Sequence, residues 1–321
     1  MDLSELLRKS GLRLEPLADG RHRVFVQPEA SCPGASDTWT TAYPPELVYE
    51  IHAAKGPYVC DEIMREEDPR YVEHAIRHEV LGYVEAAEFS DKRVLDFGCG
   101  AGASTLVMSR LLPPCSLVGV DLQQRLVHLA RLRAEHLDRP WLRFFVSPSG
   151  DAIPEGIGTF DYIVLSAVYE HLLPQERRRL MPRLWRSLRP GGVLFVNQTP
   201  HRYSPIEMHT TGLPLINYLP DALAFRAARR FSKRLKGDES WPDLLRAGVR
   251  GATIREVLAM LGTGAELMKP RRGDLIDLWH GKLSPRHAAL KKAIWTGLKV
   301  LKPVGGIHLV PELTLAIRKL A

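Results

Sequence analysis

The run SAVYEHLLP sets Tyr169, Glu170 and His171 side by side. A second polar set, Asn197, His201, Arg202, Tyr203, Glu207 and His209, falls within NQTPHRYSPIEMH. Histidine titrates near neutrality, so His171, His201 or His209 can take a proton from an acceptor group as a general base. Tyr169 and Tyr203 can orient that acceptor, and an aromatic face can shelter a cationic centre. Each residue also has a plainer reading. Glu170 and His171 can be a structural pair bonded to nearby backbone, and a loop histidine can serve a local hydrogen bond. The four cysteines (Cys32, Cys60, Cys99, Cys115) show no metal-ligand spacing, so no metal is expected.

These side chains can act together only if the fold gathers them beside a ligand. VLDFGCGAGAST is the stretch that offers one: an apolar run ends in Asp96, and Gly98, Cys99 and Gly100 follow. Glycines there allow close backbone approach, and the next helix presents free N–H groups. Gly98, Gly100 and Ala103 fit a dinucleotide loop equally well. Asp96 separates the two cases, because a carboxylate repels a pyrophosphate and favours an ammonium or sulfonium centre. SLVGVDL ends in Asp121, 23 residues after Gly98, with Leu122 next. An acid there can accept both ribose hydroxyls. In SPSGDAIP, Gly150 and Asp151 can meet an adenine amino group, or Asp151 can be a turn acid before Pro154. Tyr58 and Arg65, in KGPYVCDEIMREEDPRY, can reach over the ligand, and an arginine suits a carboxylate. The alternative there is a charged helix entry.

The elements that position these residues alternate from Lys92 onward. RVLDFG, SLVGVDL, LRFFVSPSGD, FDYIVLSAV and GVLFVNQT read as strands. ASTLVMSRLL, QQRLVHLARLRAEHL and PQERRRLMPRLWRSL read as helices, the last with an awkward Pro182 that is expected to kink it. This rhythm implies an α/β, doubly wound, mostly parallel sheet. Ligands then bind outside the carboxyl ends of the strands, where the loop, Asp121, Ser166 to His171 and Asn197 to Tyr203 converge.

VLDFGCGAG, VGVDL, GDAIP, FDYIVLSAVYEHL and LRPGGVLFV, in this order and spacing, resemble class I S-adenosylmethionine-dependent methyltransferases. The resemblance covers Lys92 to Thr199, and more loosely Thr253 to Arg271 and the last strand. It implies a seven-stranded Rossmann-like sheet and S-adenosylmethionine as cofactor. Asp96, Gly98, Cys99 and Gly100 would lie along the methionine moiety, Asp121 and Leu122 at the ribose, Gly150 and Asp151 at the adenine, and Ser166 beneath the methionine end. Residues 1–90 and 201–251 match nothing general in that family; the first are expected to form a helical cap and the second an insertion shaping the acceptor site, around a core of 91–200 with 252–321. Attack on the aminocarboxypropyl carbon, releasing methylthioadenosine, would leave the same motifs. An NAD-dependent oxidoreductase is disfavoured by Asp96. A non-catalytic or RNA-associated protein that binds the cofactor is the third alternative.

The chain has 321 residues and a formal charge of +7. From Gly281 onward eight Lys/Arg face the single acid Glu312. Basic clusters suit an acidic partner or simply solvated helix faces. No nucleic-acid module accompanies them, so a small-molecule or lipid-like substrate is expected rather than nucleic acid. The basic segment ALKKAIWTGLKVLKP allows peripheral membrane contact or a helix covering the sheet. No signal segment and no apolar run of about 18 residues is seen, which makes a cytoplasmic protein the expectation.

Overall fold

A computed structural model describes residues 3–27, 30, 35–282 and 288–320. The chain begins with helix α1 (Leu3–Lys9) and three strands, β1 (Leu12–Pro16), β2 (His22–Val26) and β3 (Thr38–Thr41). The three pair antiparallel in the order β1-β2-β3. Two helices follow, α2 (Pro45–Lys55) and α3 (Val59–Glu67). This opening is therefore not purely helical. PGASDTWTTAYPP is rich in turn formers and reads as a loop, yet it contributes β3, in which Trp39 pairs with Val24. β-branched and aromatic residues suit that half-buried ribbon.

DPRYVEHAIRHEVLGYVEAAEF reads from its spacing as one helix capped by Asp68, but the structure breaks it. Asp68 does cap, accepting from the Arg70 N–H at 2.9 Å. Tyr71 then leaves helical geometry (φ −99°, ψ −112°), and the regular turn α4 spans only His74–Glu79.

The second sheet has seven strands: β4 (Arg93–Phe97), β5 (Ser116–Asp121), β6 (Arg143–Val146), β7 (Phe160–Ser166), β8 (Leu188–Pro200), β9 (Ala265–Leu267) and β10 (Glu312–Lys319). Their order is β6-β5-β4-β7-β8-β10-β9. β4 to β8 run parallel, and β10 is antiparallel to both its neighbours. The parallel strands are covered on both faces, which is why β4 and β7 are nearly continuous apolar runs. Order reverses between β4 and β7, so their carboxyl ends flank the crevice.

Helices α5 (Ala103–Leu111), α6 (Gln124–His136) and α7 (Pro174–Ser187) connect these strands. α7 continues across Pro182 and buries Leu180, Met181, Leu184 and Trp185. Helix α6 buries Leu126, Leu129, Ala130 and Ala134 at helical spacing, and Arg133 lies on the same face.

Residues 201–251 carry α8 (Asp221–Phe231) and α9 (Trp241–Arg246). They hold a small core of Ile216, Ala224, Ala228, Leu244 and Val249. Arg250 ties it together by donating to the carbonyls of Ile216, Asn217 and Leu219 and to Asp221. Helix α10 (Ile254–Leu261) returns the chain to the sheet.

Two further helices, α11 (Leu275–Gly281) and α12 (Ala288–Leu301), pack on each other around Ile276, Leu298 and Val310. The start of the expected last helix, Ser284 to His287, lies outside the described residues. Asp274 caps α11 through the N–H groups of Ile276 and Asp277, and receives Lys299 at 3.0 Å and Lys302 at 2.6 Å. Burial pushes its carboxyl up, but the lysine hydrogen bonds outweigh that and hold it well below the usual range. A depressed folded-state pKa stabilises above the unfolded value near 4, and that contribution is lost as pH falls. Asp274→Asn should therefore melt earlier than wild type at pH 7, by about 1 kcal/mol. The gap should narrow progressively as pH falls below about 4. A gap that widened in acid would overturn this assignment. Among the described residues, no helix is long and apolar enough to cross a membrane.

Candidate functional site

The glycine loop hangs from β5: the N–H groups of Gly98 and Cys99 donate to the Val120 carbonyl at 2.7 and 3.0 Å. Gly98 holds φ +80°, and a Cβ there would lie 2.3 Å from Val168 Cγ2. Only glycine fits, by backbone and by space. Gly100, at φ +55°, faces open space. Its N–H donates to Asp121 Oδ2 at 2.9 Å, while Asp121 Oδ1 accepts from Gln123.

Asp96 does something other than its expected part beside the methionine group. It is buried, and its Oδ2 accepts from Ser104 Oγ at 2.5 Å and Thr105 Oγ1 at 2.6 Å. It pins the first turn of α5 beneath the loop. Burial pushes its carboxyl up, against the two hydroxyl hydrogen bonds. Burial likewise raises the Cys99 thiol well above its ordinary value, so Cys99 packs rather than reacts.

A cleft of 620 Å³ lies between this loop and the cap helices. It is lined by Gly98, Cys99, Gly100, Ser104 and Ser166 of the loop, α5 and β7, and by Arg65, Tyr71, His74 and Glu79 of the cap. Ala167, Gln198, His209, Lys282 and Glu312 line it as well. Ala167 and Gln198 hold φ +55° and +59° at the ends of β7 and β8. Non-glycine residues rarely adopt this conformation, and it concentrates at binding sites. Arg65 makes no ion pair within 4.0 Å among the described residues, though its charge is felt at Glu62, and it lies 5.5 Å from the Tyr71 ring.

Other expected residues lie elsewhere. Tyr169 is fully buried: its hydroxyl donates to Glu256 at 3.0 Å and Arg177 stacks 4.6 Å from its ring, so it meets no ligand. Burial raises its hydroxyl pKa beyond the usual range. His201 is also buried, with Nδ1 accepting the Tyr203 N–H, and it fixes the start of the polar loop. Tyr203 is exposed and stacks on Tyr218 at 6.1 Å. Tyr58 and Leu122 are exposed and do not line the cleft. Asp151 accepts from Ser149 and Arg179, and Gly150 sits beside Glu176.

His171 and His209 do come together, with ring centres 5.4 Å apart. Glu170, in the same turn as His171, is fully buried, with Oε2 accepting from Thr199 at 3.1 Å. Burial pushes its pKa up to about 7.

Two clusters had no reading from sequence. Lys282 bridges Glu79 (2.7 Å) and Glu312 in the cleft wall. Arg133 donates to Glu62 at 3.0 Å, to the Ala101 carbonyl at 3.1 Å and to the Tyr43 hydroxyl at 3.0 Å. Glu62 also meets Lys55 at 3.1 Å. This buried group clamps the cap to the glycine loop. A cation on the apolar face of α6 was the one signal for it.

The strand order and the crevice define a Rossmann-like nucleotide-binding domain. Residues 94–192 match the family model of a methyltransferase domain. The chain carries a class I methyltransferase domain, of the kind whose cofactor is S-adenosylmethionine. It is 38% identical over 104 residues to a trans-aconitate 2-methyltransferase of Deinococcus radiodurans, covering 32% of this chain and 36% of that one. To the enzyme of the same name from Variovorax paradoxus it is 26% identical, over 66% of this chain and 68% of that one. A carboxy-S-adenosyl-L-methionine synthase of Actinobacillus succinogenes is 34% identical over 34% of this chain and 45% of its own length. The chain thus spans between 36% and 68% of these relatives.

The residues fit that cofactor. The open face of Gly100, a carboxylate at the end of β5 and a cleft of 620 Å³ leave room for a nucleoside with an amino-acid tail.

Proposed function

We propose that this protein transfers a methyl group from S-adenosylmethionine to a small-molecule acceptor held at the Gln198–His209 end of the cleft. The observation that carries this reading is the convergence of Gly98, Gly100 and Ser166 on one cleft that His209 also lines. When bound, the cofactor supplies an electrophilic methyl on a sulfonium centre. Gly98 to Gly100 and Ser166 cradle its methionine end, and Arg65 pairs with the carboxylate of that tail. Asp121 accepts from the ribose hydroxyls. Gly150 and Asp151 would flank the adenine. Residues 1–90 and 201–251 close the cleft and shape its acceptor end, which keeps water from the reacting centre. His171 and His209 orient the acceptor. The names of the relatives, one acting on trans-aconitate, favour an acceptor bearing oxygen.

Purified protein should release S-adenosylmethionine or its demethylated product on denaturation, identified by mass. Turnover should yield S-adenosylhomocysteine. Methylthioadenosine as the product would instead establish aminocarboxypropyl transfer, and a nicotinamide nucleotide would sink both readings.

A further inference from the structure

We propose that Glu170, His171 and His209 bind a divalent first-row transition-metal ion at the acceptor end of the cleft. One ligand atom from each lies within 4.8 Å of the others. Three observations make this more than a polar cluster.

The first is the Glu170 carboxylate. The residue has no solvent exposure, and its Oε1 has no hydrogen bond. A buried carboxylate oxygen left in that state is costly, and such groups are normally paired or coordinate a metal. His171 Nε2 lies 3.7 Å from that oxygen, too far for a hydrogen bond. Two donors on one tetrahedral ion sit about 3.4 Å apart, given bond lengths near 2.1 Å. The Glu170–His171 gap is therefore close to what an ion spans.

The second is the tautomer of both rings. His171 Nδ1 lies 2.6 Å from the Arg246 carbonyl, and His209 Nδ1 lies 2.9 Å from the Ala247 carbonyl. A carbonyl only accepts, so each Nδ1 carries a proton, and in the neutral ring each Nε2 keeps its lone pair. Metal-bound histidines are typically held in this way by a backbone oxygen on the far nitrogen. Both carbonyls belong to the end of α9, so one helix terminus orients both rings.

The third is Gly248. It holds φ +94°, and a Cβ there would lie 2.7 Å from His209 Nδ1 and 3.3 Å from Glu170 Cγ. A side chain at this point would push the cluster apart.

Two imidazoles and one carboxylate suit zinc, iron(II), manganese or cobalt, and leave coordination positions open. His209 lines the cleft, so those positions face it. They fit an acceptor with a hydroxyl or carboxylate oxygen; this last step rests on the methyl-transfer reading, whereas ion binding does not.

Tag-free, chelator-stripped full-length protein titrated with Co(II) should take up one equivalent, by equilibrium dialysis, with visible absorption bands of a low-coordinate site. His171→Ala and His209→Ala, at exposed or half-buried positions, should each weaken binding at least about tenfold. Glu170→Gln should do the same, with circular dichroism confirming the fold. No stoichiometric uptake, or an unchanged titration in the His171→Ala/His209→Ala double variant, overturns the proposal. Calorimetry with S-adenosylhomocysteine on the same proteins separates the two readings. Nucleoside binding without metal binding sinks only the ion site. Metal binding without nucleoside binding sinks only the transferase.

Discussion

Arg133→Ala is expected to cost about 3–5 kcal/mol of stability, the usual consequence of breaking a buried ion pair. Glu62 would keep only Lys55, and the Tyr43 hydroxyl and the Ala101 carbonyl would each lose a donor. Urea denaturation should show a lower midpoint at similar slope. The loss should fall first on the cap, so the fragment pattern in mild proteolysis should begin within residues 45–67. The double variant Arg133→Met/Glu62→Leu should regain most of the stability, because apolar replacements of a buried pair are often neutral or better. Loss below 1 kcal/mol in the single variant would mean that water reaches the pair and that the clamp is not closed.

The second large effect is on the cofactor. Asp121→Ala should weaken S-adenosylhomocysteine binding by at least about 100-fold. Two hydrogen bonds to a charged acceptor are worth roughly 1.5–3 kcal/mol each, and 1.4 kcal/mol is a factor of ten. Asp121→Asn keeps one acceptor oxygen and should lose about tenfold. The same carboxylate holds the Gly100 and Gln123 N–H groups, so a thermal melt must accompany the calorimetry. A large drop in melting temperature with little change in affinity would make Asp121 a loop anchor alone.

The parallel half of the sheet was readable because its strands are buried on both faces and so appear as unbroken apolar runs between helices. Of the antiparallel ribbon, HRVFVQP reads as a strand and becomes β2, but β3 was not readable, since Thr38 to Thr41 carries few apolar residues and sits among turn formers. Tyr169 to His171 shows why site residues are harder to read than strands. The three form one tight turn with three residues per revolution, so each side chain leaves in a different direction. Tyr169 enters the core, Glu170 is buried beside Thr199, and His171 reaches the surface. Reading all three as facing one crevice ignored that rotation. Lys282 and Glu79 meet from opposite ends of the chain, and nothing local in either segment announces the other. Asp96 was correctly singled out but misassigned: the acid serves Ser104 and Thr105 rather than the space above the loop.

The position of β10 has a consequence for how the molecule assembles. It lies between β8 and β9, so β9 has no neighbour until β10 arrives. A chain emerging from the ribosome can pair β4 to β8 early, yet it must leave one edge of β8 bare through the synthesis of residues 201–311. The cleft also waits, because Lys282 and Glu312 come from this late part. The most sequence-distant pairing thus completes both sheet and pocket, and formation of the ligand-competent state should lag behind collapse of the nucleotide-binding half.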